Sequence, residues 1–218
     1  HLRRFFFPGM NNMTPCCVDS HLHLHDSRFS TTREQVLTNA SEAGVGLLLS
    51  NAVVEKDWPE VIRLGRRNQS VIPFLGIHPW YADRVERGWQ TRIKKQFESY
   101  IEPSGIGESG LDKTCNVGIN TQVDLFEAHL ETAHILLKPI TLHCVRSWGT
   151  LVDILESHAR QNSLPKTMIH SFSGSYETMK RLTKIGCFIS YSTIITDHRQ
   201  TKIRSVFMQT PIEHLLLE

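Results

Sequence analysis

The sequence predicts an α/β protein of the (β/α)8 barrel type. Two observations carry this reading. Short apolar runs alternate strictly with longer amphipathic ones, and there are eight of the first and seven of the second. Strict alternation means a parallel sheet with helical crossovers, and eight units close such a sheet into a barrel. A doubly wound open sheet is the competitor, but no GxGxxG follows any strand.

In chain order, the strand runs fall at 16–24, 45–53, 71–77, 105–108, 139–144, 167–172, 187–192 and 214–217. The helical segments between them are 33–43, 59–68, 89–101, 122–137, 147–161, 175–184 and 199–208. In the fourth helix Leu125, Ala128, His129, Thr132, Ala133 and Leu136 form one face at i, i+3, i+4 spacing. Gly44 and Gly186 stand where helices hand over to strands and read as helix C-terminal glycines. Nothing follows the eighth strand, and 218 residues is short for a fold that typically needs about 250. The expectation is therefore a barrel lacking its last helix and the end of strand eight. A leader at 1–13 is expected to lie outside a single domain at 14–218.

Composition excludes several classes. There are 24 Lys+Arg against 22 Asp+Glu, a formal charge of +2 and a pI near 8.3. That is too mild for a protein that coats nucleic acid, but it permits an enzyme with a local basic cleft. Cys16, Cys17, Cys115, Cys144 and Cys187 show no CxxC spacing, against a disulfide framework or a zinc ribbon. A reducing compartment follows, cytoplasmic or nuclear. No apolar run approaches the ~20 residues of a membrane helix, and the start is too short in apolar residues for a signal peptide.

The chemistry sits at the strand ends. Val18-Asp19-Ser20-His21-Leu22-His23 puts two imidazoles on one side of the first strand, where they can share a metal. The fourth strand ends in Gly107-Glu108-Ser109-Gly110-Leu111-Asp112, the fifth in Leu142-His143-Cys144 and the sixth in Ile169-His170-Ser171-Phe172. In a barrel these ends converge on the face that carries active sites. Four histidines and a carboxylate able to bridge suit a two-metal centre. Imidazole favours Zn, Mn, Fe or Ni over Mg or Ca. Two such ions activate a water and clamp both oxygens of an in-line displacement, so the chemistry is metal-assisted hydrolysis.

At these residues the chain resembles the TatD family of metal-dependent deoxyribonucleases, within the amidohydrolase-like barrels. The matching text is Val18-Asp19-Ser20-His21-Leu22-His23-Leu24, Gly76-Ile77-His78-Pro79-Trp80, Gly107 to Asp112, Leu142-His143-Cys144, and His170-Ser171-Phe172-Ser173-Gly174. Pro211 to Glu218 matches the opening of the family's last signature. The resemblance implies that His21 and His23 hold one metal, His143 and His170 a second, and Glu108 bridges the two as the catalytic carboxylate. It places His78 near the scissile phosphate and leaves Arg146 as a phosphate-contact candidate. It implies two divalent ions, Mg in the family, with Zn, Mn or Ni as alternatives. The implied activity is 3′–5′ exonucleolytic hydrolysis of DNA, on single strands or frayed ends, by a monomer with no membrane partner.

Three departures stand out. His25 occupies a position where the family usually has Asp or Asn. Arg146 comes third after His143, where the family often has Arg second. The last signature continues past Glu218 with Thr and then a metal-ligating Asp, and the sequence stops before it. Two other function classes therefore stay open. One is a small-molecule amidohydrolase or esterase on the same centre, which a Lys in place of Glu108 would favour. The other is an inactive fragment lacking the strand-eight Asp.

The remaining residues have plainer readings. Asp112 can cap a turn after Gly110. Cys144 alternates to the face opposite His143 and packs against a helix, and Cys115 lies in a polar loop. Trp80 and Trp148 can stack on unpaired bases or cover the barrel rim. Arg84, Arg87, Arg92, Lys94 and Lys95 read as a solvated helix face.

Overall fold

The computed structural model describes residues 17–100 and 102–218. The expected leader, the first strand's start at Cys16 and the third helix's end at Ile101 lie outside the described residues. Eight strands form one sheet in sequential order, every neighbouring pair parallel. They are β1 (Cys17–Leu22), β2 (Val45–Asn51), β3 (Val71–Leu75), β4 (Gly105–Asp112), β5 (Ile140–Val145), β6 (Thr167–Ile169), β7 (Phe188–Tyr191) and β8 (Leu215–Leu217). Between them run α1 (Arg33–Glu42), α2 (Trp58–Arg67), α3 (Trp89–Glu98), α4 (Ile119–Ile135), α5 (Trp148–Arg160), α6 (Tyr176–Lys184) and α7 (Thr201–Gln209). β8 is in place: its three leucines pair with Ile189, Ser190 and Tyr191. It also reaches β1, where Ser20 Oγ donates to the Leu217 carbonyl at 2.8 Å. No helix among the described residues is long and apolar enough to cross a membrane.

Two apolar layers follow from the two periods. Leu47 and Leu49 on β2, Ile72 and Phe74 on β3, with Val18, Met168, Phe188 and Leu216, fill the barrel interior. Their i, i+2 spacing is the strand period. The alternate residues Ile106, Leu142, Ile169 and Ile189 face outward onto the helices. There they meet Phe126, Leu130 and Ala133 of α4, Leu151 and Leu155 of α5, and Met179 and Leu182 of α6, all at helical spacing. Each of the larger side chains, Ala133 excepted, contributes about 1.5–3 kcal/mol on leaving water. α4 stops where Leu137 turns left-handed (φ 53°), two residues before Pro139.

Two bulges break the regular ladder at the mouth. Between β1 and β2 the register runs from Asp19↔Leu48 to Leu22↔Ser50, three steps against two. Between β4 and β5 it runs from Ile106↔Ile140 to Ser109↔Leu142, again three against two. A bulge re-aims side chains that strict alternation would turn away. So Ser20 meets Ser190 across the interior at 3.0 Å, and His21 still reaches the centre. In β4, Gly107 and Gly110 adopt φ of 135° and 133°. A side chain at Gly110 would put its Cβ 2.0 Å from the His143 carbonyl oxygen. The fourth strand thus runs four residues beyond the apolar run at 105–108, because its glycines let a bulged strand stay paired as far as Asp112↔Val145.

Candidate metal centre

Glu108 lies at the middle of the site, buried, with histidines on both sides. Its Oε2 is 3.4 Å from His21 Nε2 and 3.3 Å from His23 Nε2. Its Oε1 is 3.1 Å from His143 Nδ1 and 2.8 Å from His170 Nε2. Within each pair the two nitrogens face each other, at 3.3 Å for His21 and His23 and 3.2 Å for His143 and His170. His78 Nε2 stands 3.5 Å from Oε1. The five imidazoles and the carboxylate expected from the sequence are therefore all brought together. His21–His23–Glu108 and His78–Glu108–His143 are each close enough to share an ion.

The surroundings set the ring orientations. His23 Nδ1 lies 2.8 Å from the Asn51 carbonyl, so Nδ1–H donates there and the Nε2 lone pair faces Glu108. His143 Nε2 is 3.1 Å from Asp112 Oδ2, which turns Nδ1 inward in the same way. His21 stacks on His170 with ring centres 3.8 Å apart. The Asp19 carboxylate accepts the His21 backbone N–H at 3.1 Å, and burial pushes its pKa up to about 6. His21 Nδ1 and His170 Nδ1 are buried without a hydrogen-bond partner. Glu218 Oε1 lies 3.7 Å from His170 Nδ1, while its Oε2 accepts from Ser190 Oγ at 2.6 Å.

Protonation follows from burial and neighbours. Burial lowers the His21 pKa to about 4 and that of His78 to about 3, so both rings are neutral. Burial also disfavours a charged His170, but Glu108 outweighs it and raises that pKa to about 10. Glu108, though buried, is held well below the usual carboxylate range chiefly by His170.

His78 is delivered by a loop tied down from outside the barrel. Trp58 Nε1 donates to the Gly76 carbonyl at 3.0 Å, and the Ile77 N–H donates to His129 Nε2 at 3.1 Å. His78 Nδ1 accepts the Trp80 N–H at 3.2 Å, so in the neutral ring Nε2 carries the proton. A ring held in that tautomer is a donor toward the centre rather than a ligand, although its position alone would allow ligation.

Arg146 follows β5 with an exposed side chain and a left-handed backbone (φ 53°), and it makes no ion pair among the described residues. Asp112 does more than cap a turn. Its Oδ1 accepts from Thr114, while Oδ2 accepts the Trp80 indole N–H at 2.6 Å and meets His143. Trp80 sits on the rim, half-exposed and edge-on to His78, whereas Trp148 packs against Phe172. Cys144 is buried away from the centre, and burial pushes its thiol up to about 12. Of the basic stretch, Arg92 pairs with Glu55 and Arg84 lies over Tyr81. His25, the departure in the first motif, pairs with Asp57 at 3.3 Å.

The family model described as TatD related DNase matches residues 18–218. The chain belongs to the TatD-related DNase family. An uncharacterized metal-dependent hydrolase of Escherichia coli K12, YjjV, is 29% identical over 207 residues, covering 92% of this chain and 77% of its own. A protein of Erwinia billingiae named 3′-5′ ssDNA/RNA exonuclease TatD is 29% identical over 203 residues, with the same coverage. The crystal structure of the Escherichia coli YjjV TatD homologue superposes with a TM-score of 0.87 over 94% of this chain and 79% of that one. The TatD family resemblance in the motifs and the barrel predicted from the alternation are both borne out.

Proposed function

We propose that this TatD-family hydrolase is a two-metal nuclease that removes nucleotides from the 3′ ends of single-stranded or frayed DNA. One observation carries the reading: two imidazole pairs face opposite oxygens of one buried carboxylate. Such a donor set fits two divalent ions, His21 and His23 holding one, His143 and His170 the other, and Glu108 bridging. Mg, Mn, Zn and Ni are the candidate ions. When bound, they supply Lewis-acid polarisation of the phosphate and lower the pKa of a water. The names of the relatives, 3′-5′ ssDNA/RNA exonucleases among them, support a nucleic-acid substrate.

The chain's own residues orient the reaction. Water oxygen bonds to phosphorus, the P–O3′ bond breaks, and the released 3′ oxygen takes up a proton, leaving a 5′-mononucleotide and a chain shorter by one residue. His78 donates its Nε2–H to a non-bridging phosphate oxygen and stays neutral while doing so. Glu108 is the catalytic carboxylate. Arg146, exposed after β5 and without an ion pair among the described residues, meets the next phosphate. The exposed face of Trp80 takes a base. Thiols left free at Cys17, Cys115, Cys144 and Cys187 suit a reducing compartment, cytoplasmic or nuclear.

The test is a 5′-labelled single-stranded oligonucleotide incubated with the Mn²⁺-loaded protein. The expected result is a ladder shortening from the 3′ end, abolished by chelator and by Glu108→Ala. An intact oligonucleotide, or cleavage that persists in the variant, overturns the reading.

A further inference from the structure

A cavity of about 1020 Å³ opens directly off the metal centre, beginning at His143 and His170 and running out between the loops after β6 and β7. That volume suits a nucleotide. Its walls differ from those of the centre. The centre carries Asp19, Glu108, Asp112 and Glu218, whereas among the described residues no carboxylate lines the cavity. Beyond the two histidines its polar groups are mostly hydroxyls, such as Ser173, Ser192 and Thr201, with the Gln200 amide and Lys202, which forms no ion pair among the described residues. Its apolar groups include Ile194 and Ile203, with Tyr176 as the exposed aromatic. Lys180 Nζ sits 5.5 Å from the Tyr176 ring centre and steadies the ring. Ser171, directly after His170, takes a left-handed backbone (φ 44°) that a non-glycine residue adopts only at a cost.

We propose that this cavity is the subsite for the terminal nucleoside, the one released as a 5′-mononucleotide, with Tyr176 stacking on its base. The proposal rests on the nuclease reading and sharpens it. An exonuclease must seat one nucleoside beyond the reacting phosphate, and this cavity is continuous with the two histidines on the Oε1 side of Glu108. Walls of hydroxyls, an amide and aliphatic groups, with Lys202 and, among the described residues, no carboxylate, match a sugar and base that enter with an anionic phosphate. Ring stacking accepts any base, so the subsite is tolerant of sequence.

Two measurements test this on the Mn²⁺-loaded protein. The first is calorimetric binding of thymidine 5′-monophosphate against deoxyribose 5-phosphate. The base should add about tenfold in affinity, Tyr176→Ala should abolish that preference, and Tyr176→Phe should keep it. The second compares oligonucleotides ending in a normal or an abasic 3′ nucleotide. Tyr176→Ala should raise KM about tenfold on the normal end with kcat little changed, and should have no further effect on the abasic end. Equal binding of the two monophosphates by the unmodified protein, or a Tyr176→Ala effect of the same size on both ends, overturns the subsite while the nuclease reading stands. Failure of the unmodified protein to shorten any oligonucleotide overturns both.

Discussion

Asp112 Oδ2 stands 3.1 Å from His143 Nε2 and so decides which nitrogen of that ring faces Glu108. A carboxylate behind a ligating imidazole fixes its tautomer and the orientation of the ring. Asp112→Ala should therefore weaken Mn²⁺ binding about 10- to 100-fold, and Asp112→Asn, which keeps an oxygen acceptor, should lose less. Calorimetric Mn²⁺ titration checks this. Because the same oxygen accepts from Trp80, the alanine variant should also change the Trp80 environment in near-UV circular dichroism.

His129 gives a pH prediction outside the centre. It is fully buried, its Nε2 accepts from Ile77 and its Nδ1 faces the Leu125 carbonyl at 2.8 Å. Burial lowers its pKa from 6.5 to about 4. Above pH 6.5 both the folded and unfolded forms of this residue are neutral, and its contribution is complete. Between about pH 6.5 and 4 the unfolded chain binds a proton that the folded chain refuses, so stability falls; below about 4 this contribution levels off. The loss is on the order of 3 kcal/mol. His129→Gln should flatten that part of the stability–pH curve, measured by urea unfolding from pH 8 to pH 4.

Thiol chemistry offers a simple check of burial. Cys144 and Cys187 are buried with thiols pushed up to about 12, whereas Cys17 is exposed and Cys115 partly so. At pH 8 iodoacetamide should alkylate Cys17 and Cys115 in the native protein and spare Cys144 and Cys187 until urea is added. Mass spectrometry of the digest reads the result.

The architecture was legible in the sequence because the two periods were clean: Leu47, Leu49 and Phe126, Leu130, Ala133 sit where a strand and a helix require. The candidate residues could be picked out because His21, His23, His143 and His170 stand at or near strand ends, with Glu108 inside β4. What alternation cannot show is a bulge. Ser20 and His21 both turn inward, and Gly107-Glu108-Ser109-Gly110, dense in turn residues, stays in the ladder. The second role of Asp112 was hidden for another reason. Its cap on Thr114 is local, but Trp80 and His143 are 32 and 31 positions away, and only the fold brings them there. The contacts of Glu218 were hidden in the same way, since its partners His170 and Ser190 are 48 and 28 positions away.

The proposed role of Glu108 is a bridge between two ions rather than a ligand to one, and metal counting tests that most directly. Calorimetric titration of the metal-free protein with Mn²⁺ should show two ions per chain. The His21→Ala/His23→Ala variant and the His143→Ala/His170→Ala variant should each retain one, and Glu108→Ala should weaken both. A single ion in the unmodified protein, or two ions surviving in either paired variant, would contradict the account.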